Sequence, residues 1–283
     1  MGFQPWVPAT LAEFKKRLMV SGCRFLVQWC GRSIPVTARQ RGIPLSSLST
    51  VILAFSLNKD SPVRRVLTHK TSVKDVIESF GVPHPEVDLI VANGQPVDFS
   101  FHLQADAALE VYPISATFFS TFRLQARNVR AFVADGHLGK LTRDLRLIGI
   151  DVSYSRDAND SELLATMIQE NRALLTRDRP LLMHRVVRTG YFPRSQKPLE
   201  QTVEVIRRFG LARALAPFVR CLRCNALLAT VSKEAVIDQL EPLTRLYYDD
   251  FKMCPQCGQS YWRGSHVAKL EKRVEAILNQ NLR

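Results

Sequence analysis

Apolar and polar positions follow two rhythms along this chain. From residue 48 to 115, short apolar runs are separated by turn residues. VILAFSLN and VRRVLTH are strand candidates, joined across Asn58, Asp60 and Pro62. Ser72 is placed to cap a helix over VKDVIESF, which Gly81 closes. VDLIVA runs into an Asn93-Gly94 hairpin turn, and ALEVYPI is a last strand. From residue 129 onward, strands alternate with amphipathic helices. AFVA at 131–134 ends on Asp135. Leu138, Leu141, Leu145 and Ile148 then recur at helical spacing, with Lys140, Arg143 and Arg146 on the other side and Gly149 at the end. DVSYS is the next strand, followed by the loop RDAND and a helix capped by Asp160 or Ser161. That helix turns Leu163, Leu164, Met167 and Ile168 inward. ALLT is a third strand, delivering Asp178, and PLLMHRVVRTG is a further helix with Pro180 near its start. Such alternation predicts a parallel sheet with helices on its faces.

Composition narrows the class. The chain has 283 residues, enough for two or three domains, and 46% of them are hydrophobic, enough for real cores. No apolar run approaches the roughly 18 residues that span a bilayer. The net charge of +13 favours a polyanionic partner, nucleic acid before membrane. Residues 1–45 carry Lys15, Lys16, Arg17, Arg24, Arg32, Arg39 and Arg41 against one acid, Glu13. They are expected to be a poorly ordered extension. An organellar transit peptide, an RNA-binding arm and a misplaced start codon all fit that composition. Cys23 and Cys30 read as plain thiols.

The remaining cysteines form two CxxC pairs, Cys221/Cys224 and Cys254/Cys257. Four thiolates suit tetrahedral zinc in a closed, structural ribbon and indicate a reducing compartment, read as the cytoplasm. KEAVIDQL between the pairs is read as an inserted helix. Tyr261 and Trp262 are candidates to stack on bases, with Arg263 and His266 on the backbone; packing of Trp262 against the ribbon is the competing expectation. VAKLEKRVEAIL is a packing helix.

Asp135, Asp160 and Asp178 are the best candidates for a divalent-metal site, with Asp157 and Glu162 second in rank. Carboxylates at strand tips converge on one sheet edge and repel unless a cation lies between them. Magnesium and manganese prefer such oxygen ligands. The competing readings are a helix cap for Asp160 and a turn aspartate for Asp178. Lys140, Arg143, Arg177, Arg179 and Arg194 are candidate phosphate contacts, the best being Arg177 and Arg179 beside Asp178. Arg185 and Arg188 read as solvated surface.

The order strand, strand, helix, strand, strand at 48–115 is that of an α+β β-grasp, ubiquitin-like fold. It resembles the ubiquitin-like domain found ahead of certain nucleases and, more distantly, sulfur carriers. Carrier chemistry needs a free C-terminal Gly-Gly, whereas here YPISATFF continues into another domain. The run FVAD, HLGKLTRDLRLIGIDV, DSELL and ALLTRDRPLL, continued by GYFPRSQKPLEQTVEVIRRF and both cysteine pairs, resembles the RNase domain of the Mut-7 C-terminal family, a PIN-like branch of nucleases. The resemblance implies an α/β PIN-like domain with a parallel sheet and flanking helices. It places Asp135, Asp160 and Asp178 at the acidic positions of a magnesium- or manganese-dependent ribonuclease. A Gly-His pair after Asp135 departs mildly from the pattern, and His137 is a candidate for phosphate contact or capping.

The expected layout is therefore an extension at 1–45, a ubiquitin-like domain at 46–116, a nuclease domain at 129–215, a zinc ribbon at 216–270 and a tail at 271–283. RNA is the expected partner, with tRNA or the ribosome as carriers, no membrane, and a protein docked on the ubiquitin-like domain. The rival class is a non-catalytic RNA- or ribosome-binding protein; a toxin-like nuclease held silent by a partner is a third.

Overall fold

The structure is a computed structural model that describes residues 49–55, 63–67, 70–103, 107–114, 122–126 and 128–281. The expectations for residues 1–45 lie outside them. The chain forms two compact units. One is built on the strands before Val73 together with Leu89–Tyr112, and the other on Lys74–Asp88 together with the chain from Pro113 onward.

The first part of the chain holds β1 (Ser49–Phe55), β2 (Val63–Leu67), β3 (Thr71–Ser72), α1 (Val73–Ser79), β4 (Val87–Ala92), β5 (Gln95–Val97), β6 (His102–Leu103) and β7 (Ala107–Pro113). The main sheet has the order β2-β1-β7-β4-β5, with β1 antiparallel to β2 and parallel to β7. Asn93 and Gly94 both take left-handed backbone angles, as a two-residue hairpin turn requires, so β4 and β5 pair tightly. The short pair β3–β6 has no counterpart in the sequence reading. Two residues per strand are too few for an alternation to show.

The second unit is organised by β8 (Ala131–Ala134), α2 (Gly139–Leu147), β9 (Asp151–Tyr154), α3 (Asp160–Gln169), β10 (Ala173–Leu175), α4 (Arg179–Leu182), β11 (Gly190–Tyr191) and α5 (Pro198–Phe209). All four strands are parallel, in the order β11-β10-β8-β9. The two-residue period of a strand sends Phe132, Ala134, Val152, Ala173 and Leu175 to one face, and Val133 and Leu174 to the other. The first face packs on Leu138, Leu141, Leu145 and Ile148 around α2, and on Val205, Ile206 and Phe209 of α5. Phe209 meets Phe132 edge to face at 4.9 Å. The second face is covered by Leu163 and Met167 of α3 and by Leu181 and Leu182 of α4.

The chain continues through β12 (Ala229–Val231), α6 (Pro242–Tyr247), β13 (Phe251–Met253), β14 (Ser260–Trp262) and α7 (Ser265–Asn281). The three strands form an antiparallel ribbon in the order β12-β13-β14. Trp262 packs with Phe251 beside Val236 and Leu240, which favours the packing expectation for this tryptophan. The last helix is a packing element as expected. Val274 and Ile277 enter the same core as α2 and α5, and Arg273 forks onto Asp144 of α2.

Five local expectations are corrected. Arg146 does not face outward; it is buried, because its guanidinium satisfies the carbonyl of Val152 on the edge strand and those of Leu222 and Arg223. Ile168 is 60% exposed, since it lies about 140° around the helix from Leu163. The cap of α3 is Asn159, not Asp160 or Ser161, in a reciprocal capping box with Glu162. The helix after Pro180 stops at Leu182. The chain then turns to place Val187 in the core and brings Gly190 so close to β10 that a Cβ would lie 2.9 Å from the Leu174 carbonyl oxygen. The KEAVIDQL stretch is turns and one 3-10 turn, Ile237–Gln239, because Val236 and Leu240 plug the ribbon while the regular helix starts at Pro242.

Gly149 ends α2 at φ +90°, and a Cβ there would lie 2.3 Å from the Ala216 carbonyl oxygen. Gly210 ends α5 at φ +64° with nothing within 4 Å. Gly149→Ala is expected to cost about 2–4 kcal/mol, backbone strain plus a clash. Gly210→Ala is expected to cost about 1–2 kcal/mol, the strain alone. Urea unfolding of the two variants measures the difference.

Candidate functional site

The strand order creates a reversal. From β8 the chain moves one way, through α2, to β9; it then crosses back through α3 to β10 on the other side of β8. At the C-terminal ends of β8 and β10 the two crossovers part to opposite faces, and open parallel sheets bind ligands at such a crevice. Asp135 follows β8 directly, and Thr176, Arg177 and Asp178 follow β10.

A hydrogen-bond chain spans this crevice. The Thr176 hydroxyl donates to Asp135 Oδ2 at 2.7 Å and accepts from the Asp178 amide at 2.9 Å. Thr176 is fully buried, so its rotamer and proton direction are fixed by these two partners. Asp178 Oδ1 accepts from the Leu181 amide at 3.0 Å and caps α4, so the capping role expected of a turn aspartate is real there. Asp135 also accepts weakly from the His137 amide at 3.5 Å. The loop after Asp135 lies hard against the end of β9. Tyr154 donates to the Gly136 carbonyl at 2.9 Å, and a Cβ on Gly136 would lie 2.3 Å from the Arg156 carbonyl oxygen. Only glycine fits there.

Asp160 is exposed at the first position of α3, and with the cap supplied by Asn159 its carboxylate has no capping duty. Glu162 is engaged by the Asn159 amide, and Asp157 is exposed in the loop. Thr176 and Gly136 are contributors that the sequence reading missed. Thr176 carries a usable signal: a hydroxyl two residues before Asp178, just past the end of the strand, can accept that residue's amide, as it does here at 2.9 Å.

Of the candidate phosphate contacts, Lys140, Arg143 and Arg179 are exposed and Arg177 is half-buried. Arg177 donates to Gln196, and the Arg177 and Arg179 guanidinium carbons lie 5.8 and 5.3 Å from the centre of the Phe192 ring. Among the described residues neither pairs with a carboxylate. Arg194 differs. It forks onto buried Glu86 at 2.7 and 2.5 Å, and although burial opposes its charge, the Glu86 carboxylate raises its pKa further than burial lowers it. Arg263 is exposed and reaches Glu271 at 3.6 Å, and Trp262 is half-buried in the ribbon.

The cysteines are brought together. Sγ of Cys221 is 3.6 Å from that of Cys257, Cys224 is 3.3 Å from Cys254, and all four lie within 4.8 Å of one another. A tetrahedron with metal–sulfur arms of about 2.3 Å has edges of about 3.8 Å, so the set is compatible with structural zinc. The two knuckles are built alike. The residue after each second cysteine, Asn225 and Gly258, is left-handed and donates its amide to the carbonyl of the first cysteine at 2.9 Å. Burial opposes ionisation of Cys221. The Tyr261 hydroxyl at 3.2 Å, the Cys224 and Arg223 amides and Cys257 outweigh it and bring that thiol down to about 6, towards the ligating thiolate. Among the described residues this is the only gathering of three or more metal-ligating side chains whose atoms lie so close; the three aspartates are not drawn together to that degree.

The first knuckle is fastened to the parallel sheet. Asn225 accepts from the Val152 amide and donates to Asp151, and Arg146 bridges the Val152 carbonyl to those of Leu222 and Arg223. The exposed edge of β9 is thereby covered.

These features define the class: an α/β domain with acidic strand tips at a sheet's switch point and a fused four-cysteine ribbon. The model of the Mut7-C RNAse domain matches residues 130–274, just over half of the chain, and that of the Mut7-C ubiquitin domain matches residues 55–118. The chain belongs to the Mut7-C RNAse domain family and carries the ubiquitin-like domain ahead of it. No curated protein and no solved structure matches it. Membership of an RNase domain family points to nuclease function. Among the described residues no helix is long and apolar enough to cross a membrane.

Tyr261 both donates to Cys221 and accepts the Leu222 amide at 3.1 Å. Tyr261→Phe is expected to lower the affinity of the four-cysteine site for cobalt or zinc about 10- to 100-fold, as loss of an outer hydrogen bond to a ligand does. Competition against a chromophoric chelator measures it.

Proposed function

We propose that this protein is a metal-dependent ribonuclease of PIN-like type. Asp135, Asp160 and Asp178 would hold magnesium or manganese, and the four cysteines would hold one structural zinc. The observation that carries the reading is the Thr176 bridge, which couples Asp135 to the segment bearing Asp178 across the switch point. The donor type, three carboxylates, fits a hard cation: Asp135 follows β8, Asp178 caps the helix after the neighbouring parallel strand β10, and Asp160 opens α3. A divalent ion held by these carboxylates would supply positive charge at the phosphodiester and acidify water, which would remove the need for a general-base side chain. The chain's own residues do the rest. The Thr176 proton is committed to Asp135 Oδ2, so Oδ1, which accepts only weakly from the His137 amide, is the oxygen that would take a cation. Arg177 and Arg179 are placed on either side of Asp178 to neutralise phosphate oxygens. Four reduced thiols fit a cytoplasmic protein, and RNA, as tRNA or on the ribosome, is the partner this reading implies.

A second reading keeps the fold without turnover, as an RNA- or ribosome-binding protein. Two observations favour it: Asp178 is occupied in capping α4, and the three aspartates are not closely gathered.

Labelled single-stranded RNA incubated in manganese separates the two readings. Cleavage by the wild type is expected to fall at least a hundredfold in Asp135→Asn, as losing a group that acts on the reacting atoms does. Binding without cleavage by the wild type would establish the second reading. Independently, the purified chain is expected to carry one equivalent of zinc by elemental analysis and to lose it in Cys254→Ser. Two equivalents, or none, would refute the structural-zinc assignment.

A further inference from the structure

Phe192 follows β11, on the same edge of the sheet as Asp178. Three guanidinium groups surround its ring, those of Arg177, Arg179 and Arg194, at 5.8, 5.3 and 5.8 Å from the ring centre. Three cations round one ring repel one another, and the ring's quadrupole offsets only part of that cost. One of them is neutralised from within the same unit. Glu86, 5% exposed, holds both ends of the Arg194 guanidinium, and its Oε1 also accepts the Phe192 amide at 3.0 Å. Arg194 in turn donates to the Phe192 carbonyl at 2.5 Å. The backbone of Phe192 is therefore clamped on both sides by one buried ion pair.

Glu86 is itself anchored. It ends the 3-10 turn His84–Glu86. There His84 sits between Glu78 and the Val187 carbonyl, each at 2.6 Å, and Arg208 and Gln125 donate to the Pro85 and His84 carbonyls, each at 3.0 Å. Residues 84–86 lie inside the stretch matched by the ubiquitin domain model, yet they belong to the compact unit that contains the parallel sheet. Arg177 and Arg179, by contrast, have no carboxylate among the described residues and stand on either side of Asp178.

We infer that Phe192, Arg177 and Arg179 form a subsite for a phosphodiester of single-stranded RNA next to the scissile one, and that Glu86 is the positioning residue that fixes it. The inference rests on the ribonuclease reading. It gives the ubiquitin-like stretch a part in building the substrate edge. Two cations beside an aromatic ring have no carboxylate partner among the described residues, and an RNA phosphate would supply the anion. The clamp on Phe192 keeps the ring from following the cations when that anion binds or leaves.

The test uses the full chain carrying Asp135→Asn, so that RNA is bound and not cut, and reads the anisotropy of a labelled single-stranded oligonucleotide across a salt series. Arg177→Ala with Arg179→Ala is expected to weaken binding about tenfold or more. It should also reduce the salt slope by about 0.7, for the one phosphate no longer neutralised. Glu86→Ala is expected to weaken binding by itself but to add little to the arginine pair, because it acts through the Phe192 ring that they flank. If Glu86→Ala fails to fold, Glu86→Gln replaces it in the same cycle, since it keeps an acceptor for the Phe192 amide and removes the charge that holds Arg194. An unchanged affinity and slope in the arginine variant would overturn the subsite, and full additivity would overturn the positioning role. The two readings fail separately. A wild type that binds RNA in this way but never cleaves it refutes the ribonuclease and keeps the subsite. A wild type that cleaves, with binding unaffected by the arginine changes, does the reverse.

Discussion

A purely parallel sheet must be covered on both faces, because its strands are apolar on both, and that requirement shapes everything else in the nuclease unit. Phe132 and Ala134 of β8 look towards α2 and α5, whereas Val133 looks towards α3 and α4. Right-handed crossovers can cover both faces only if the chain reverses its direction across the sheet. The reversal falls between β8 and β10, and there the helices part and the strand ends are left open. The acidic site is thus a consequence of covering the sheet. Asp135 and Asp178 stand at that opening because the apolar strands end one and three residues before them.

Much of this is legible from residue order alone. The strand of 131–134, the stripe Leu138, Leu141, Leu145 and Ile148, the Asn93-Gly94 hairpin and the two cysteine knuckles each depend on near neighbours in sequence, and local periodicity reports them. What is not legible depends on distant partners. Arg146 looks like a surface arginine until the carbonyls of Val152, Leu222 and Arg223 are brought to it. Glu86 is one acid in a ubiquitin-like stretch until Arg194, 108 residues later, closes on it. Asn159 wins the cap of α3 over its neighbours because Glu162 is three residues on and completes the box. That signal is local, but Asp160 and Ser161 beside it are caps of equal quality by residue type and mask it.

Two arginines, one buried and one half-buried, carry the joints of the second unit. Arg146 and Arg194 each use a planar fork to satisfy several acceptors at once, which an ammonium does less well. They serve different ends. Arg146 faces backbone carbonyls, and its pKa is lowered by burial, against the pull of Cys224, Cys221 and Asp151 nearby. Arg194 faces a carboxylate, and its charge is reinforced. The first joint fixes the ribbon to the sheet edge, and the second fixes the turn at His84–Glu86 to the sheet's open end. A chain of net charge +13 therefore uses part of its positive charge internally, so the charge left for a polyanionic partner is a smaller, placed subset.

That subset bears on the choice between an enzyme and a binding protein. A polyanion binder needs cations distributed along a track, with no reason to set carboxylates among them, because each carboxylate repels the phosphate it meets. Here Arg177 and Arg179 bracket Asp178, and buried Thr176 commits its hydroxyl to orienting Asp135 rather than to packing. An exposed acid between two arginines at a sheet's switch point would weaken simple polyanion binding, and it is the arrangement expected where phosphate and carboxylate share a cation. The ribbon does not share that logic. Its thiolates are closed on one another, and its contacts run to β9, so its contribution is to hold the edge of the sheet from which Asp160 and the α3 crossover depart.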